Sequence, residues 1–240
     1  MPANGPMKLT ILSGGAAQSV VTALAEGFRA DTGYALACTF GAVGAMKERL
    51  LAGASADLVI LTQALIAELA RDGQVLPASR ADLGCVRTGI AVREGDPVPD
   101  IASADALCSA LLAAEGIFFP DPQKATAGIH FARVLDALGI KTEVEARLKT
   151  FPNGGAAMRE LAQAKGARLL GCTQVTEINN TPGVTLAGLL PREFELATVY
   201  SAGVCAGAAS PEAAQRFIRL LASEPSRALR VKAGFELSRT

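Results

Sequence analysis

The 240-residue chain has no tryptophan, two tyrosines, a single histidine and no net charge, its 23 Lys and Arg balancing 23 Asp and Glu. Each shortage removes a class of function. A polyanion such as nucleic acid or an acidic bilayer is held by a clustered excess of Lys and Arg, so neither is expected as a partner. Aromatic residues make up only 5% of the chain, too few for a base-stacking platform. The lone His130 and five scattered cysteines, Cys38, Cys85, Cys108, Cys172 and Cys205, show no C-x-x-C pair and no metal-ligand spacing. P-loop, dinucleotide and nucleophile-elbow patterns are missing too. Neither a metal nor a cofactor is expected.

Long apolar runs are also lacking. Nothing approaches the roughly 18 uninterrupted apolar residues of a membrane span, so no membrane insertion is expected. Met1-Pro-Ala-Asn-Gly-Pro-Met-Lys8 passes straight into Leu9 without the apolar core of a signal peptide. Together with five isolated thiols, which suit a reducing compartment, this points to the cytoplasm. A periplasmic location follows instead if a leader was removed.

Half of the residues are apolar, enough for a sizeable core, and their spacing switches repeatedly between periods of 2 and 3.6. Strands at Lys8–Ser13, Ala35–Phe40 and Asp57–Leu61 alternate with helices from about Ala16, Gly44 and Gln63. Such alternation specifies an α/β protein with parallel sheets. Further units follow at Gly116–Phe119, Lys149–Pro152 and Arg168–Cys172, and two helices begin near Pro211 and Pro225. The economical arrangement is two lobes, each a mostly parallel sheet flanked by helices, with a ligand cleft between them. Lobe I takes residues 1–84 and 207–240, lobe II takes 85–206, and long crossover strands lie near 85–92 and 196–206.

Four strand-to-helix loops are rich in glycine: Ser13-Gly14-Gly15-Ala16, Gly41-Ala-Val43-Gly44, Thr126-Ala-Gly128 and Asn153-Gly-Gly-Ala156. A helix N-terminus presents unpaired N–H groups and partial positive charge, so several aimed at one place would bind an anion without extra Lys or Arg. His130 sits in the helix after Asp121-Pro-Gln-Lys-Ala-Thr126, where it could bond an anion, carry a proton, or be a solvated side chain. Gln174 and Glu177 follow the strand ending at Cys172-Thr173 and could cap a helix or line the site.

The blocks Leu9-Thr-Ile-Leu-Ser-Gly-Gly-Ala-Ala17, Thr39-Phe40-Gly-Ala-Val-Gly-Ala-Met46 and Ala52-Gly-Ala-Ser-Ala-Asp-Leu-Val-Ile-Leu61 resemble the type II periplasmic-binding-protein fold. Asp121-Pro, Thr126-Ala-Gly-Ile-His-Phe-Ala132, Gln174-Val-Thr-Glu-Ile178 and Thr198-Val-Tyr-Ser-Ala202 extend the resemblance over nearly the whole chain. Specifically, it resembles the molybdate-binding-protein-like family of substrate-binding proteins. Molybdate binders of that family place hydroxyls in the first two loops and a later tyrosine; the matching positions here are Ala16, Val43 and Thr173.

The resemblance therefore implies another small anion, and the subgroup that includes aconitate isomerases implies a di- or tricarboxylate. It also implies a 1,3 proton shift, and since that step needs a side chain able to take and return a proton, His130 and Glu177 are the candidate catalytic residues. The expected ligand contacts are Ser13, Gly14, Gly15, Ala16, Phe40, Gly41, Val43, Gly44, Asp121, Thr126, Gly128, Thr173 and Gln174. The alternative is a non-catalytic solute receptor working with a transporter permease.

Overall fold

Apolar strands followed by amphipathic helices form two units in a computed structural model that describes residues 7–237. The Met1–Pro6 run read above for a leader lies outside the described residues. Unit 1 extends to Cys85 and resumes at Thr198; unit 2 is Val86–Ala197. The chain thus rejoins unit 1 before the expected residue 207, because Ala197–Val204 is a strand that pairs with unit 1.

Unit 1 contains β1 (Met7–Gly14), α1 (Gln18–Thr32), β2 (Tyr34–Gly41), α2 (Val43–Leu51), β3 (Leu58–Thr62) and α3 (Gln63–Arg71). β4 (Ala81–Arg93) carries the chain across the boundary. Unit 2 continues with α4 (Ala104–Ala113), β5 (Gly116–Pro120), α5 (Thr126–Ala137), α6 (Lys141–Val144), β6 (Leu148–Phe151) and α7 (Gly154–Gln163). It closes with β7 (Leu169–Gln174), α8 (Val175–Asn179) and β8 (Val184–Leu189). β9 (Ala197–Val204), α9 (Pro211–Ala222) and α10 (Arg227–Ala233) complete unit 1.

In unit 1 the strand order is β2-β1-β3-β9. β1 is parallel to β2 and β3, and β9 is antiparallel to β3. Parallel neighbours need crossover connections, which α1 and α2 supply. Every residue of β3 is buried, as a continuous Leu-Val-Ile-Leu run in an inner strand should be. Gly33 ends α1 in the left-handed region, φ 77°, and its N–H closes the last turn on the Arg29 carbonyl. Phe28 of α1 meets Phe217 of α9 edge to face at 4.9 Å.

Unit 2 has the order β8-β4-β7-β5-β6, with β5 parallel to β6 and β7. Side chains along these strands alternate between two cores. Ile90, Val92, Ile117, Phe119, Leu170 and Cys172 belong to one, whereas Ala91, Phe118 and Leu169 belong to the other. Period-2 alternation with both sets apolar means that both sheet faces are covered.

The Ala-Asp-Leu-Val-Ile block owes its aspartate to the fold. Asp57 is 3% exposed. Its carboxylate accepts from the N–H of Thr10 at 2.7 Å and of Ser210 at 2.8 Å, tying β1 to the residue that precedes α9. We expect Asp57→Ala to lower stability by about 2–4 kcal/mol, since two buried donors lose a charged acceptor. Urea denaturation should show a lower midpoint at unchanged slope; an unchanged midpoint would remove Asp57 from this role.

Candidate functional site

In unit 1 the carboxyl ends of β1 and β2 lie side by side, with Ser13 opposite Phe40 and Gly14 opposite Gly41. Gly15, Ala16 and Ala17 form a single 3-10 turn before α1, and Gly14 contributes no side chain to cap it. A Cβ on Gly14 would lie 2.8 Å from Val43 Cγ1 and 3.2 Å from the Tyr200 ring. Glycine is required there because Val43, at the start of α2, and Tyr200 of β9 close on the backbone. On Gly41 a Cβ would lie 2.7 Å from Met46 Cε, while Gly44 and Phe40 are half-buried. Ala42, which precedes α2, gives it no side-chain cap, leaving its first amides for other partners. Ser13 is fully buried, and its hydroxyl donates to the Gly14 carbonyl at 2.9 Å.

A second feature of unit 1 escaped the sequence reading. A cavity of about 450 Å³ is lined by Gln63, Ile66, Arg80, Asp82 and Ser201, within the range of small-molecule sites. Gln63 donates to Asp82 at 2.8 Å, and the Ser201 hydroxyl donates to the same carboxylate. One guanidinium and one carboxylate balance its charge. The Tyr200-Ser201 block was the only sequence signal pointing to it.

In unit 2, Asp121 organises the loop after β5, its carboxylate accepting from the N–H of Gln123 at 2.7 Å and Lys124 at 3.1 Å. Gly128 lets α5 approach that loop closely, since a Cβ would fall 2.2 Å from the Pro120 carbonyl and 2.3 Å from that of Asp121. α5 opens at Ala125 with no side-chain cap, and the half-buried Thr126 is its first residue. One turn further, the His130 ring donates from Nε2 to the Phe194 carbonyl at 2.7 Å, so Nδ1 is its basic nitrogen.

Thr173, Gln174 and Glu177 come together where β7 meets α8, beside the start of α7. Thr173 donates to Glu177 at 2.6 Å, and the Gly155 N–H reaches the same carboxylate at 3.3 Å. Backbone N–H groups of Gln174 and Gly154 also bond it. Burial pushes the Glu177 carboxyl up from its ordinary range, and these four hydrogen bonds offset only part of that rise. Asn153 caps α7 through the Ala156 N–H at 2.9 Å. Gln174 is 2% exposed, and both atoms of its amide lack a protein partner. Thr88, its cross-strand neighbour on β4, and Thr176 carry buried hydroxyls in the same condition. Thr88 and Thr176 were missed because a threonine in an apolar strand or short helix gives no signal of its own.

Among the described residues no group of three or more His, Cys, Asp or Glu could hold a metal ion, and no helix is long and apolar enough to cross a membrane. Burial raises the thiol of Cys38 to about 11 and that of Cys205 to about 12, which keeps both protonated and unreactive.

A sequence family described as bacterial extracellular solute-binding protein matches residues 9–236. An aconitate isomerase from Pseudomonas sp. is 30% identical over 222 residues, covering 90% of this chain and 82% of that protein. The periplasmic molybdate-binding protein of Azotobacter vinelandii superposes with a TM-score of 0.81 at 19% identity, over 96% of this chain and 100% of that one. The sulfate-binding protein SubI of Mycobacterium tuberculosis gives 0.75 at 20% identity, over 95% and 86%. These likenesses establish the type II periplasmic-binding-protein fold.

Gly128→Ala tests the tight seat of α5. The added methyl would meet two carbonyl oxygens, so a loss of about 2–4 kcal/mol is expected, read as a lower melting temperature. A variant as stable as the parent would show that α5 can move away from the loop.

Proposed function

Because the chain belongs to the family of bacterial extracellular solute-binding proteins, we propose that it binds a small anionic ligand, a di- or tricarboxylate, and isomerises it by a 1,3 proton shift. The observation that carries this reading is the 30% identity with an aconitate isomerase across 90% of the chain. The uncapped starts of α2 and α5 support the anion. Proposed contacts are Ser13, Gly14, Gly15, Ala16, Phe40, Gly41, Val43 and Gly44 in unit 1, and Asp121, Thr126, Gly128, Thr173 and Gln174 in unit 2. Several of these act through backbone or packing. Asp121 shapes its turn and Gly128 seats α5.

A 1,3 shift needs a group that takes a proton beside a carboxylate-conjugated double bond and returns one at the other end. His130 suits this. The Phe194 carbonyl fixes its Nε2 proton and orients the ring, while Nδ1 accepts and releases the proton in transit. Glu177 is the other titratable candidate, but its carboxylate is already committed to four donors. Backbone N–H groups at the loop ends stabilise the negative charge that develops as the proton leaves.

A second reading is favoured by the family itself. The chain would then be a non-catalytic receptor delivering its anion to a transporter permease outside the cytoplasm, whereas the isomerase reading suits a cytoplasmic enzyme. Incubation of purified protein with cis- or trans-aconitate, followed by chromatography, separates the two. Interconversion is expected, with His130→Ala lowering kcat by about 10²–10⁴-fold at unchanged melting temperature. Tight binding of one isomer without turnover would support the receptor, and full activity in His130→Ala would clear His130 of proton transfer.

A further inference from the structure

Of the four glycine-rich loops, the one at α7 is filled by the chain's own carboxylate. Gly154 and Gly155 donate their N–H groups to Glu177, and Ala156 donates to Asn153, so the first three amides of this ten-residue helix are all taken. The Thr173 hydroxyl and the Gln174 N–H complete a cradle of four donors around a side chain only 8% exposed. A Cβ on Gly154 would sit 2.0 Å from both Glu177 Oε2 and the Thr173 hydroxyl, so the space is shaped to these oxygens. Four donors at a helix N-terminus fit negative charge.

We infer that Glu177 is a specificity-determining residue, a built-in anion that occupies the α7 amides and bars a fully ionised tetrahedral oxyanion from them. What unit 2 then offers beside the cradle is uncharged. Gln174 presents an amide donor and an amide acceptor, and Thr88 and Thr176 present hydroxyls, all buried and without protein partners. Such groups can donate to the carboxylate oxygens of an organic acid and accept from any hydroxyl it carries. A sulfate or molybdate dianion directed at the α7 amides would meet the Glu177 charge at short range. The choice of organic acids as the favoured class rests on the function proposed above; the occupation of α7 does not.

Glu177→Ala empties the cradle and should lower the melting temperature by about 5–10 °C, given roughly 2–4 °C per kcal/mol for a chain of this size. Excess formate should restore at least half of that loss by refilling the space, and formamide, alike in shape but neutral, should restore none. Sulfate should raise the melting temperature of Glu177→Ala but not of the parent. Glu177→Gln retains the volume without the charge and should melt below the parent, with no recovery in formate. If Glu177→Ala does not fold, Glu177→Gln decides alone. Equal rescue by formamide, stabilisation of the parent by sulfate, or a Glu177→Gln variant as stable as the parent would each overturn the inference. None of these readings uses an organic-acid ligand or turnover, so they stand or fall separately from the isomerase reading.

Discussion

A buried carboxylate bonded to backbone N–H groups anchors each unit. Asp57 joins the N–H of Thr10 to that of Ser210 in unit 1, and Glu177 gathers Gly154, Gly155 and Gln174 in unit 2. Removing such a charge from water is costly unless its lone pairs are met, and backbone amides meet them only when strands and helices hold their geometry. The dependence is mutual. Asp57 is satisfied because the polypeptide returns to unit 1 at β9 and runs on to Ser210, and that return is pinned by the same carboxylate. Glu177 is satisfied because Gly154 carries no side chain.

This constraint separates two kinds of glycine-rich loop. At α2 and α5 the helices start without a side-chain cap, so a ligand oxygen can complete them. At α7 the helix start is closed by Asn153 and Glu177 together. The same fold can therefore present different numbers of uncapped helix ends, and the fold alone does not set the ligand.

Much of this fold was legible in the sequence because its strands are short apolar runs bounded by glycine. β3 reads directly from Leu58-Val-Ile-Leu61, and Gly33 marks the end of α1. β8 was not legible, since Val184–Leu189 is half-exposed and its pairing with β4 is a tertiary matter. The 3-10 turn at Gly15–Ala17 was read as part of α1, for periodicity does not distinguish one tight turn from the helix it precedes. At the candidate site, the loops were found from their glycines, but side-chain direction was not. Ser13 reads as a ligand hydroxyl, and its bond to the Gly14 carbonyl is not legible in the sequence. Glu177 reads as a general base until the cradle at α7 accounts for its carboxylate. The orphaned amide of Gln174 is invisible to sequence, because being unpartnered is a property of the surroundings.

The central claim is that these loops hold an organic acid in preference to an inorganic oxyanion. Isothermal titration of the purified chain with trans-aconitate, and separately with molybdate and sulfate, tests it most directly. Saturable one-to-one binding of the tricarboxylate with no heat from either oxyanion is predicted; saturable binding of molybdate or sulfate with none for the tricarboxylate would contradict it.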